Sequence, residues 1–212
     1  CGVDIDKDQK KAIGVRVIDS NSKTSQDYFA KVLFVSASTL NTNLILLNSK
    51  SDRFPNGLGN DNGLLGKFIA FHNYRATINA QFEGFPNYTT EGAKPTSHYV
   101  PRFRNIYRQE TDFLRGYAAG FGAQPQRKTV RKGFGAELTN QLLNSKETGV
   151  LNLNSNMMGE TIPKSTNLVS LDPEKKDEWG IPLLNIDVDY DDNDEKMIQD
   201  FYEQFTEMYE KA

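Results

Sequence analysis

Ser38-Thr39-Leu40-Asn41-Thr42-Asn43-Leu44-Ile45-Leu46-Leu47-Asn48-Ser49 stands between an almost continuously apolar run, residues 27–36, and a glycine-punctuated loop that closes at His72. The order reads as a strand, a tight polar elbow and a helix, with Leu40 to Asn48 the one clear apolar helix of the first half. Such an elbow brings backbone N–H groups and short hydroxyls together at a helix N-terminus, where a phosphate or a cofactor ring can be met. Upstream, residues 12–19 alternate between apolar and polar, and Ser20-Asn21-Ser22-Lys23 supplies turn chemistry before residues 27–36. The two runs form a hairpin whose second strand asks to be buried on both faces, which an isolated hairpin cannot provide. That strand is therefore either covered in some other way or left sticky. Downstream, Asn-Gly and Gly-Asn steps across residues 56–63 break the chain into a surface loop whose backbone can come close to a partner.

Beyond Phe71 the pattern changes to short alternating segments: residues 74–82, 97–101 and 113–121, separated by proline and glycine. Residues 134–143 have helical spacing, 150–159 read as a strand with 167–171 as its partner, and 179–190 as the last strand. Asp191-Asp192-Asn193-Asp194 caps a terminal amphipathic helix, residues 195–211, whose stripe of Met197, Ile198, Phe201, Phe205, Met208 and Tyr209 is core packing. The expectation is an α+β fold, an antiparallel sheet with helices packed on one face, divided at residue 70 into segments 1–70 and 71–212.

A chain of 212 residues with 37% hydrophobic and 25% charged residues can bury a sizeable core and is of ordinary globular composition. The net charge of -3 leaves no electrostatic footprint for nucleic acid. The densest basic group, Arg127-Lys128 with Arg131-Lys132, reads as a solvated hairpin rim. No apolar run approaches a membrane span, which needs about 20 residues, and nothing resembles a signal peptide; a soluble protein of the cytoplasm or periplasm is expected. The one cysteine, Cys1, excludes an internal disulfide framework and reads as a truncation point. The acidic run from Asp187 to Glu195 lacks the glycine and the distal glutamate that an EF-hand loop needs, so capping is preferred to calcium, and no metal site is expected.

Three motifs in order carry a family resemblance. Ser38-Thr39, Thr42, Ile45-Leu46 and Ser49 resemble the second signature of the glucose-methanol-choline (GMC) flavoprotein oxidoreductases, with Asn43 and Lys50 departing from it. Gly66-Lys67-Phe68-Ile69-Ala70-Phe71-His72 is similar to the family's Gly-x-Asn-Leu-x-Asp-His segment, with Phe68 and Phe71 substituted. Met158-Gly159-Glu160-Thr161-Ile162-Pro163, Asn167-Leu168-Val169-Ser170-Leu171-Asp172 and Asp177-Glu178-Trp179-Gly180-Ile181-Pro182 look like its substrate-domain hairpin. The resemblance covers residues 12–212 and implies an FAD-dependent oxidoreductase acting on CH–OH groups of an alcohol or sugar.

The chain has no Gly-x-Gly-x-x-Gly fingerprint and no histidine after His98, so neither the pyrophosphate seat nor the family's catalytic histidine maps onto it. The resemblance thus implies an internal piece of such an enzyme. Residues 1–70 would be the remnant of the FAD-binding domain and 71–212 most of the substrate-binding domain. FAD would be held in the intact parent and not retained by this chain, which alone would be inactive. No catalytic residue is assigned. Ser38, Thr39, Asn41, His72 and Asn73 are the implied flavin contacts. Glu160, Met158 and Arg102 are candidate substrate-wall residues; a carboxylate on an apolar strand needs a partner, which Arg102, Arg104 or Arg115 could supply, and the other reading of Glu160 is an ion pair with no substrate role. The orphaned hairpin makes self-association possible. A different reading is a non-catalytic α+β module that presents Tyr99, Tyr107 and Tyr117 to a carbohydrate or a protein.

Overall fold

Alternation with period two in the middle of the chain, and with period 3.6 at its end, produces antiparallel sheets with a long helix against one of them. A computed structural model describes residues 2–6, 11–85, 98–127, 133–143 and 147–212. In chain order the elements are β1 (Gly2–Asp6), β2 (Lys11–Ile18), β3 (Ser25–Phe29), α1 (Ser38–Asn48), β4 (His72–Asn73), β5 (Thr77–Phe82), β6 (His98–Val100), β7 (Tyr117–Arg127), α2 (Gly135–Leu143), β8 (Glu147–Glu160), β9 (Leu168–Lys176), β10 (Pro182–Asp187) and α3 (Asp192–Glu210). The architecture is α+β, as the sequence pattern predicts. Among the described residues no helix is long and apolar enough to cross a membrane. The basic group Arg127-Lys128 and Arg131-Lys132 lies outside the described side chains.

The chain divides into two units, Cys1–Ala70 with Pro163–Asp189 and Phe71–Ile162 with Tyr190–Ala212. The segment Pro163–Asp189 thus groups with the first unit, not with the residues that precede it. The reason is pairing: β9 bonds to β10 and not, as the sequence suggested, to β8. Lys67 bridges Leu168, and Val169 N donates to the Gly66 carbonyl at 2.7 Å, so β9 is fastened to the loop before His72.

In the first unit β1, β2 and β3 form an antiparallel sheet. Ser49, just past α1, accepts from Val3 N at 2.7 Å and donates to the Ile45 carbonyl at 2.6 Å, tying the helix end to β1. Val3, Leu47 and Val169 are buried there. The strand predicted over 27–36 ends at Phe29, and the apolar residues beyond it stay in water: Val32 is 66% exposed and Phe34 89%. A run that needs two covered faces finds neither in this unit.

Gly66 is the tightest point of the first unit. Its φ is +85°, and a Cβ there would lie 2.3 Å from the Val169 carbonyl oxygen. Gly66→Ala is therefore expected to lower the stability of this unit by about 2 kcal/mol or more, through left-handed strain and a forced clash with backbone. Urea unfolding followed by Trp179 fluorescence measures it; an unchanged midpoint would contradict the fit described.

The second unit is a five-stranded antiparallel sheet in the order β4-β8-β7-β6, with β5 also on β8. Strand β8 shows why one face is core. Ser155, Met157 and Gly159 are buried, while Asn154, Asn156, Met158 and Glu160 alternate with them on the other side. Met197, Phe201, Phe205 and Tyr209 of α3 cover this face, to which β7 contributes Tyr117 and Ala119, and Ala76 and Phe113 complete the core. Met208, assigned to the helix's apolar stripe, is 39% exposed at its edge. Gly159 keeps the helix close, since a Cβ would meet Met197 Sδ at 2.7 Å. Asp191 caps α3 in a reciprocal capping box with Asp194, so the acidic run does the capping work predicted for it.

Candidate functional site

The residues singled out from sequence fall at two separate places. In the first unit, Ser38, Thr39 and Asn41 are exposed on the first turn of α1. Ala37 occupies the N-cap position and offers no side chain to the free N–H groups, and no acidic residue lies in the first turn. Ser38 itself has φ +64°, a left-handed conformation uncommon for serine. The elbow thus presents unclaimed backbone donors beside two hydroxyls and an amide.

In the second unit, the antiparallel register of β4 on β8 sets His72 opposite Glu160 and Asn73 opposite Gly159. Adjacent residues in a strand face opposite ways, so the two members of the His72-Asn73 pair have different fates. His72 is exposed on the outer face, its ring edge-on to Tyr74 at 5.5 Å. Asn73 is fully buried beneath α3, with Nδ2 donating to the Asp194 carbonyl and Oδ1 accepting from Arg75. Its amide is spent on structure. His72, Met158 and Glu160 therefore share one face, which the sequence alone did not establish.

Glu160 is flanked by two guanidinium groups, Arg115 at 3.4 Å and Arg102 at 3.6 Å. Two of the three arginines named as possible partners converge on it; the third, Arg104, does not. Arg102 is held in place by donating to the carbonyls of Arg104 and Asn105 at 3.0 and 2.6 Å. Room for it comes from Gly116, where a Cβ would sit 2.8 Å from Arg102 Nε. Arg115, the residue before that glycine, has φ +69°. A strained bend and a missing side chain together aim two cations at one carboxylate. The set can accept hydrogen bonds from hydroxyls at Glu160 and donate them from the arginines.

Sequence reasoning missed the part-buried network on the inner side. Arg104 makes a bidentate contact with Asp200 at 2.9 and 2.8 Å, and the Tyr117 hydroxyl donates to Asp200 at 2.7 Å. Asp200 lies three residues from Met197 and one from Phe201 on α3, and only that flank position could have hinted that it turns inward. Tyr117, grouped above with Tyr99 and Tyr107 as a presented aromatic, is core at 1% exposure, whereas Tyr107 is 98% and Tyr99 62% exposed. Burial and the Asp200 carboxylate push the Tyr117 phenol far above its ordinary value. The folded state favours the protonated phenol, so this contribution is complete below the unfolded value of about 10 and lost as pH rises above it. Melting temperature is expected to fall from pH 9 to pH 11, with a shallower fall in Tyr117→Phe; equal slopes would contradict it.

Among the described residues no three His, Cys, Asp or Glu side chains converge to hold a metal ion. No protein-family model matches the chain. Compared with curated proteins, it is 31% identical over 205 residues to a 2-methyl-1,2-propanediol dehydrogenase from Mycolicibacterium austroafricanum. The match takes in 87% of this chain and 34% of that protein, so the chain spans about a third of the length of the curated relative.

Proposed function

We propose that these residues work within a GMC-type flavoprotein oxidoreductase acting on the CH–OH group of an alcohol or sugar. The observation that carries the reading is the 31% identity to a dehydrogenase named for 2-methyl-1,2-propanediol. The order of the three sequence motifs and the gathering of His72, Met158, Glu160 and Arg102 at one end of a sheet face support it.

The residues present suit FAD in one respect. The uncapped first turn of α1, with Ser38, Thr39 and Asn41, is a donor set fit for carbonyl or phosphate oxygens. FAD bound there would supply the hydride-acceptor chemistry that oxidation of a CH–OH group needs. The chain's own contribution is to bind and orient. Glu160 accepts a hydrogen bond from a substrate hydroxyl, Arg102 and Arg115 fix that carboxylate, and Met158 gives the carbon skeleton an apolar surface.

Two measurements test the proposal. The purified 212-residue chain, mixed with FAD and passed through gel filtration, is expected to lose the flavin; retained absorbance would mean that the elbow suffices as a site. In the longer enzyme, dye reduction by alcohols and sugars should be seen, and Glu160→Gln should raise KM about tenfold while kcat changes less, the size expected for one charge-assisted hydrogen bond of about 1.5 kcal/mol. Absence of any alcohol-dependent reduction would overturn the reading.

A further inference from the structure

We propose that the outer face of the β5-β8-β7 sheet is a binding site for a neutral carbohydrate, centred on Asn154 and about 20 Å along β8 from Glu160 at 3.3 Å per residue. The inference stands on this face alone and does not depend on the redox reading.

The first observation is composition in the wrong place. Strand β8 is central, paired on both sides, yet Asn152, Asn154 and Asn156 occupy successive outward positions. Asparagine is depleted in strands and glycine weakens them, and here Gly120 and Gly122 of β7 are the register partners of Asn156 and Asn154. Threonine would solvate such a face at less cost to the strand. A sheet that breaks its local preferences five times on one face is a candidate for function.

The second observation is order. Thr77 Oγ1 donates to Asn156 Oδ1 at 3.0 Å, Asn156 Nδ2 to Asn154 Oδ1 at 2.7 Å and Asn154 Nδ2 to Asn79 Oδ1 at 2.7 Å. Gln81 Nε2 donates to Asn152 Oδ1 at 3.0 Å. These bonds fix the amides across two strands and use at most one donor and one acceptor of each, out of two and two. Mixed donors and acceptors in a preset array remain for a ligand.

The third observation is space. A Cβ on Gly120 or Gly122 would meet nothing within 4 Å, and a shallow pocket of ≈ 470 Å³ lies over Gln81, Gly122, Gln124, Asn152 and Asn154. Tyr99, the register partner of Gly120, stands at the edge of the same face and is largely exposed.

The chemistry selects the occupant. Outward positions from Thr77 to Gln81, Gly120 to Gln124 and Asn152 to Asn156 carry no charge, which gives an anion or nucleic acid nothing to pair with. A protein partner would look for several buried apolar or arginine anchors, and the face offers one aromatic. Vicinal hydroxyls match side-chain amides donor for acceptor, and the C–H face of a pyranose matches a tyrosine ring.

The test is ¹⁵N-HSQC titration of the 212-residue chain with maltotriose, cellotriose and mannotriose in turn, following the side-chain amide signals. At least one trisaccharide is expected to shift the signals of Asn79, Asn152 and Asn154 with millimolar or tighter affinity. Asn154→Ala should weaken binding about tenfold. Gly122→Val, which adds a β-branched side chain in open space, should keep the backbone spectrum and abolish the shifts, so misfolding of the asparagine variant would not blur the answer. No shift with any of the three sugars, or shifts undiminished in Gly122→Val, would overturn the proposal.

Discussion

Phe201→Ala is expected to lower the stability of the second unit by about 3–5 kcal/mol, the range for removing a fully buried aromatic ring. Phe201 has no exposed surface, and its ring centroid lies 4.5 Å from Phe205, 5.8 Å from Tyr117 and 5.7 Å from Tyr202. Those rings come from α3 and β7, so the hole would open between helix and sheet. Against a total of about 5–15 kcal/mol for an ordinary domain, this approaches unfolding. The measurement is urea denaturation followed by far-ultraviolet circular dichroism, and a loss below about 1 kcal/mol would mean that α3 packs less tightly than described.

The second large effect is electrostatic. Asp200→Ala removes the carboxylate that two other groups depend on, Arg104 through a bidentate pair and Tyr117 through its hydroxyl. The side chains of Arg104 and Asp200 are 23% and 15% exposed, so the cost should fall near the lower end of the range for breaking a buried pair, about 3 kcal/mol. The damage comes from the cation and phenol left behind more than from the bond itself. Replacing Arg104 and Asp200 together by methionine and leucine should recover most of the loss, because no uncompensated charge remains. A double variant as unstable as Asp200→Ala would count against this account.

How far the sequence could be read depended on whether a pattern was local. The alternation in β8, the stripe on α3 and the Asp191 cap are each written within a few residues, and the structure follows them. The partner of β9 was not legible, because sequential order suggested β8 while the actual pairing is with β10. Residues 30–36 mislead in another way: their composition asks for burial that the first unit does not supply. At the candidate site, Glu160 and its need for a cation could be read directly. That Arg102 and Arg115 both supply it depends on Gly116 and on the left-handed Arg115, which no spacing rule announces.

The exchange of segments between the units has a consequence for synthesis. Each unit is written in two instalments, the first completed only by Pro163–Asp189 and the second only by Tyr190–Ala212. A ribosome adding about 5–20 residues per second would release the strands of the second unit well before the helix that covers them. During that interval Ala76, Ala119 and Met157 would face water on a sheet without a lid. Neither unit can be obtained by cutting the chain once, and a nascent chain halted before Tyr190 should be a good client for a chaperone.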